Sequence, residues 1–152
     1  MRYTLPFGDN PLSFEVSGVS EGREIRPRQE ASLDPIDDAF TEIIDAPVGT
    51  LPLEEMLSKG DRVLVVCEDD TRPTPIHLIL PSLFRRLQTI GIPAAKIRIL
   101  MAYGLHRPMS RQALAKKLGP EAVGAFSVLH HDAFQRNDLF HVGDTSFGTP
   151  VY

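Results

Sequence analysis

The chain has 152 residues, 42% hydrophobic and 24% charged, so it is long enough to bury one core and a single domain is its default organisation. Its formal net charge is -4, with 16 Lys and Arg against 20 Asp and Glu, which leaves no basic footprint for nucleic acid or an anionic membrane surface. Met1 to Phe7 reads neither as a signal peptide nor as a membrane span, and the lone Cys67 lies in an apolar run, so a cytoplasmic protein with a buried structural thiol is expected.

Tyr3 to Phe7 and Leu12 to Val16 alternate in polarity around Gly8-Asp9-Asn10-Pro11, which predicts an antiparallel hairpin. Residues 18 to 33 are polar and irregular. Asp34 then offers a helix N-cap and Pro35 a first helical position, with Ile36, Phe40, Ile43 and Ile44 sharing one face of a helix that ends near Pro47. A second short helix is expected from Pro52 to Lys59. It would bury Leu53, Met56 and Leu57 and stop at a left-handed Gly60.

Arg62 to Cys67 is a nearly unbroken apolar and β-branched run, as in a parallel strand covered on both faces. A helix follows, expected to be capped by Thr74, begun by Pro75, kinked at Pro81 and ended by Gly91. Its apolar stripe runs from Ile76 through Leu80, Phe84 and Leu87 to Ile90. Ile97 to Ala102 supplies the next buried strand and completes a β-α-β unit, for which parallel pairing is strongly favoured. The fold class is therefore α/β, a Rossmann-like parallel sheet core with an N-terminal β-hairpin.

Beyond that unit Ser110 caps a helix to Leu118, Gly119-Pro120 breaks it, a short helical turn reaches Phe126, and Ser127 to His131 reads as a third strand. Leu139 to Val142 is strand-like, Gly143 to Gly148 is a turn, and Thr149 to Tyr152 runs extended as though the chain stopped in mid-strand.

Ligands of open parallel sheets bind beyond the carboxyl ends of the strands, and a β-α-β unit delivers both of its post-strand loops to that edge. The first loop is Glu68-Asp69-Asp70-Thr71-Arg72-Pro73 and the second is Tyr103-Gly104-Leu105-His106-Arg107-Pro108. If the strands are neighbours, Asp69, Arg72 and His106 converge. Arg72 can grip a carboxylate or phosphate through two parallel hydrogen bonds, His106 can move a proton near neutral pH, and Asp69 can orient an imidazole or bind a hydroxyl. The free amides at the start of the next helix would favour the same anion. An ordinary capped turn, with Asp70 and Arg72 paired in solvent, fits the first loop's spacing as well.

Other features carry plainer readings. His130 and His131 are consecutive on a strand and point to opposite faces, so with His141 they lack the spacing of a metal site. His77 reads as exposed or at the core edge. Arg85, Arg86, Lys116 and Lys117 read as solvated helix faces. No Gly-x-Gly-x-x-Gly turn follows residue 67, which argues against a nicotinamide dehydrogenase.

The run Glu68 to Pro73, the helix with Pro81 and Leu83-Phe84-Arg85-Arg86-Leu87, and Ala102 to Pro108 resemble, in order and spacing, the amino-terminal domain of nickel-dependent lactate racemases. The likeness extends from the hairpin to Gly148-Thr149-Pro150. One departure is Tyr103, where the family more often has threonine. The resemblance implies that residues 1–152 are one α/β domain, the amino-terminal half of a two-domain enzyme that racemises or epimerises a 2-hydroxy acid with a nickel-pincer nucleotide. It implies His106 as one of two acid/base histidines and Asp69, Thr71, Arg72, Gly104 and Arg107 as substrate- and cofactor-binding residues, with no metal ligand in this chain. The second histidine, the lysine that carries the cofactor and the histidine that binds nickel would lie beyond Tyr152, in a missing carboxy-terminal domain. From the residues alone, a nucleotide-binding or regulatory module that performs no catalysis stands as the alternative.

Overall fold

The computed structural model describes residues 2–18, 23, 25, 27, 28, 30–32 and 35–152. They fall into two compact units, Met1–Ser32 and Leu33–Tyr152. The first is the hairpin: β1 (Arg2–Phe7) pairs antiparallel with β2 (Asn10–Glu15), Tyr3 opposite Phe14 and Phe7 opposite Asn10. The pairing reaches two residues further into the turn than the alternation suggested. Gly8, at φ 59, supplies the left-handed residue that a two-residue connection requires. The Tyr3 and Phe14 rings stack across the strands with centroids 5.8 Å apart.

The second unit carries the α/β core. A parallel sheet in the order β3 (Val63–Glu68), β4 (Ile97–Ala102), β5 (Ser127–His130) is in register from Val63 opposite Ile97 to Glu68 opposite Ala102, and Met101 lies opposite His130. Between β3 and β4 runs α3 (Ile76–Ile90); α4 (Arg111–Leu118) and α5 (Pro120–Ala125) connect β4 to β5. Ile97, Ile99 and Met101 of β4 point one way, into a core shared with Leu80, Phe84, Leu87, Leu114 and Leu118. The Phe84 and Phe126 rings meet there at 3.9 Å between centroids. Cys67 is buried in the same core.

Several local expectations change. Leu64 and Val66 are more than half exposed, so the helices of this unit cover one face of β3 rather than both. Helix α1 (Ile36–Asp45) starts after Pro35, and the Asp34 cap lies outside the described residues. Its inner face is Ile36, Phe40 and Ile44, whereas Ile43 is 61% exposed. Helix α2 (Leu53–Met56) is a single turn. It stops because Leu57 is already extended, at φ -119 and ψ 149, and not at Gly60, which has no positive φ; the Asp61 carboxylate then takes the Ser58 amide at 2.8 Å.

Helix α3 begins at Ile76 with Pro75 before it, and no side chain caps it. Pro75, and not Thr74, stands at its N-cap position. The helix continues through Pro81 and ends at Gly91, whose φ of 91 lets Ile92 donate back to the Leu87 carbonyl at 3.0 Å. Arg85 and Arg86 are not free helix faces: Arg85 binds Asp37 of α1 at 2.6 Å, and Arg86 binds Asp45 of α1 and, at 2.9 Å, Glu54 of α2. Ser110 caps α4 as expected, accepting from the Ala113 amide at 3.2 Å.

In the tail Leu139 to Val142 is not a strand. A small hairpin of β6 (Gly143–Asp144) and β7 (Pro150–Val151) forms around the turn that begins at Thr145. Among the described residues no helix is long and apolar enough to cross a membrane.

Candidate functional site

Parallel pairing of Glu68 with Ala102 leaves both chains to leave the sheet side by side, so the loops after β3 and β4 share one edge. A cleft of about 350 Å³ opens there, lined by Glu68, Asp69, Thr71 and Arg72 from one loop and Ala102, Tyr103, Gly104, Leu105 and His106 from the other. A larger apolar groove, about 550 Å³, lies between α3 and α5 around Leu80, Phe84, Leu118 and Phe126. The smaller cleft is the better candidate for chemistry, because the ionisable groups converge on it.

The first loop is wound around the Asp69 carboxylate, which is 4% exposed. Its Oδ1 accepts the Thr71 amide at 3.1 Å and the Thr71 hydroxyl at 2.5 Å, and the Arg72 amide returns to the Asp69 carbonyl at 3.3 Å. Its Oδ2 lies 2.5 Å from His106 Nδ1 across the cleft. The Thr71 hydroxyl is the largest influence on this carboxyl. With the His106 contact it outweighs the opposing effect of burial and holds Asp69 below the usual carboxylate range. An ionised Asp69 can only accept, so Nδ1 carries a proton, and in the neutral imidazole Nε2 is the nitrogen that holds the lone pair. The His106 side chain is more than half exposed, which leaves Nε2 reachable by a ligand.

The second loop turns tightly to deliver His106. The His106 amide donates to the Tyr103 carbonyl at 3.0 Å, and Gly104 takes φ 58, a value that disfavours any side chain there. Tyr103 is buried beneath the turn. Its ring stacks on His130 with centroids 5.7 Å apart, and its hydroxyl lies 2.8 Å from His130 Nδ1. Burial, ahead of the charges of Asp69 and Asp70, raises its pKa.

Five of the six residues singled out in the sequence, Asp69, Thr71, Arg72, Gly104 and His106, therefore line one cleft. Arg107 is exposed and does not line it. Arg72 is exposed on the cleft wall, and among the described residues its guanidinium has no partner, so the solvent pair with Asp70 is not formed. Asp69 meets the imidazole, the first of the two jobs open to it, and the Thr71 hydroxyl supports that carboxylate. One expectation is revised. The start of α3 offers few free amides: Pro75 has none, Ile76 donates to the Thr74 carbonyl at 2.9 Å and Leu78 to the Pro75 carbonyl at 3.0 Å.

Lys117 does not lie on the solvated helix face expected for it. It is 8% exposed, with its ammonium against Glu68, Arg72 and Thr74. The signal was present: Leu114, Lys117 and Leu118 stand at i, i+3 and i+4 on one helix face, so a lysine between two core leucines had to point inward. Desolvation pushes the Glu68 carboxyl up, but the Thr74 hydroxyl, its own backbone amide and Lys117 together bring it below the usual range. The free groups of the cleft, a guanidinium that donates and an imidazole nitrogen that accepts, suit an anionic ligand that also carries a hydroxyl. Among the described residues no group of three or more His, Cys, Asp and Glu is clustered to hold a metal.

Comparison with known proteins places this chain in a family. The family model described as "Lactate racemase N-terminal domain" matches residues 7–152. Lactate racemase of Lactiplantibacillus plantarum is 34% identical over 105 residues, 69% of this chain and 24% of that protein. Lactate racemase of Thermoanaerobacterium thermosaccharolyticum is 23% identical over 149 residues, 95% of this chain and 34% of that protein. The solved structure of the lactate racemase apoprotein from the latter organism superposes with a TM-score of 0.73 at 21% identity, over 99% of this chain and 34% of that one, and supports the fold. The chain thus spans between a quarter and about a third of the length of these relatives.

Proposed function

The chain belongs to the lactate racemase N-terminal domain family, and from that premise we propose that it is the amino-terminal domain of a two-domain enzyme that racemises or epimerises a 2-hydroxy acid. The observation that carries the proposal is the Asp69–His106 pair, which presents Nε2 to a cleft where Arg72 stands unpartnered. The substrate carboxylate binds the Arg72 guanidinium through two parallel hydrogen bonds, a geometry that a carboxylate matches and a neutral group does not. This sets the neighbouring hydroxyl toward His106. Nε2 accepts the hydroxyl proton as the α-carbon is oxidised, and the imidazolium so formed is stabilised by the Asp69 carboxylate at Nδ1. When the carbon is reduced from the other face, the proton is returned by the second acid/base histidine, which is assigned to sequence after Tyr152.

The nickel-pincer nucleotide is the cofactor that this reading requires; when bound it supplies the hydride acceptor and donor. The phosphate of a nucleotide suits the unpartnered Arg72 guanidinium on the cleft wall. Arg72, the backbone around Gly104 and, from the rim, Arg107 are the residues of this chain that would contact it. The lysine that attaches it and the histidine that ligates nickel are assigned to sequence after Tyr152.

The test is made on the complete protein loaded with its cofactor. Each enantiomer of a panel of 2-hydroxy acids is supplied, and the appearance of the other is followed by chiral chromatography. Interconversion of at least one acid, lost in His106→Ala, is the expected result. A loaded protein that interconverts none of them refutes the reading.

A further inference from the structure

Lys117 is nine-tenths buried, and an ammonium in that setting is costly unless its donors are satisfied. They are. Nζ donates to the Arg72 carbonyl at 2.7 Å, to the Thr74 carbonyl at 3.2 Å and to Glu68 Oε1 at 3.3 Å, which accounts for the three N–H bonds of an ammonium. The three acceptors bracket the first loop: Glu68 closes β3, Arg72 forms the loop's outer limb, and Thr74 precedes α3. Sequence separations of 43 to 49 residues make each of them a tertiary contact. Helix α4, which carries Lys117, follows the His106 loop in the chain, with Ser110 as its N-cap. One ammonium thus ties the element that follows the second loop to the backbone of the first.

We infer that Lys117 is a positioning residue, holding the loop of Asp69 and Arg72 in register with the loop of His106 so that guanidinium and imidazole face one bound anion. The inference rests on the proposed function for the identity of that anion. The grip on the loops stands on the contacts alone. Methionine at 117 would fill the space of the lysine stem, yet it would leave two carbonyls and a carboxylate facing an apolar group and release the outer limb. Arginine would keep the charge and the donors. Glutamine would keep donors without charge.

The experiment compares Lys117→Met, Lys117→Gln and Lys117→Arg in the complete protein. With cofactor loaded, KM for the preferred 2-hydroxy acid is expected to rise by about tenfold or more in Lys117→Met, with a smaller fall in kcat, since the loss is of substrate grip. Lys117→Gln should fall between, and Lys117→Arg should recover most of the affinity. A purely structural residue would lower the folded fraction and turnover in proportion and leave KM alone. Without cofactor, ¹⁵N-histidine NMR reads the His106 Nδ1 proton directly. It should resonate far downfield in the unsubstituted protein and in Lys117→Arg, and shift upfield or vanish in Lys117→Met. Unchanged KM together with an unchanged His106 resonance in Lys117→Met overturns the inference. If that variant does not fold, the same two readings in Lys117→Gln decide it. A protein that turns over no 2-hydroxy acid would defeat the proposed function, while the resonance would still judge Lys117.

Discussion

Asp69 and His106 come from loops 37 residues apart in sequence, yet Asp69 Oδ2 and His106 Nδ1 lie 2.5 Å apart, the carboxylate buried and the imidazole open to the cleft. In the neutral imidazole this contact places the proton on Nδ1 and the lone pair on Nε2, the arrangement a general base needs. Replacing His106 with alanine in the complete, cofactor-loaded protein is expected to lower interconversion by about 10²- to 10⁴-fold. Asp69→Asn should also lower it, because a neutral amide no longer selects the Nδ1–H tautomer. Initial rates with each variant check both, and wild-type turnover in His106→Ala would remove the base from the mechanism.

Arg72→Lys retains the charge but loses the planar fork that matches a carboxylate. KM for the hydroxy acid is expected to rise by about tenfold, the equivalent of roughly 1.4 kcal/mol of lost grip. Steady-state kinetics over a range of substrate concentrations measure it.

The Thr71 hydroxyl, with the His106 contact and against the pull of burial, depresses the pKa of Asp69. Its unfolded value is near about 3.9, so the unfolded chain binds that proton more readily. The stability Asp69 contributes is therefore complete above about pH 4 and lost as pH falls through the lower folded value. Urea unfolding of wild type and Asp69→Asn should show a difference that is steady near neutrality and shrinks in acid. A difference that grows on acidification would contradict the assigned direction.

Cys67 faces the core, and burial, then the charge of Glu68, raises its pKa to about 11. Thiolate is therefore scarce at neutral pH. Iodoacetamide should label the native protein slowly and the urea-unfolded protein quickly, as mass spectrometry would record.

Leu87, 1% exposed, sits in the centre of the core. Leu87→Ala should destabilise by about 2–5 kcal/mol, whereas Ile43→Ala, at an exposed position, should stay within about 0.5 kcal/mol. Denaturant titration distinguishes the two.

Much of this was legible in the residues, for local reasons. The apolar runs Val63 to Cys67 and Ile97 to Ala102, with a helical stripe between them, fit only a β-α-β unit, and that unit's topology puts the Asp69 and His106 loops on one edge. Turn and cap chemistry at Gly8, Gly91, Ser110 and Gly119 needs only neighbouring residues, and there the elements begin or end close to where they were expected. What the tertiary structure alone decided depends on distant partners. Thr74 does not cap α3, and its carbonyl is taken by Lys117; Arg85 and Arg86 are drawn to α1 and α2; and Asp69 is satisfied by Thr71 and His106 before any ligand arrives. Lys117 lies between the two cases. Helical spacing alone turns it inward, but the three oxygens that receive it come from another loop, and only the folded chain brings them within hydrogen-bond reach.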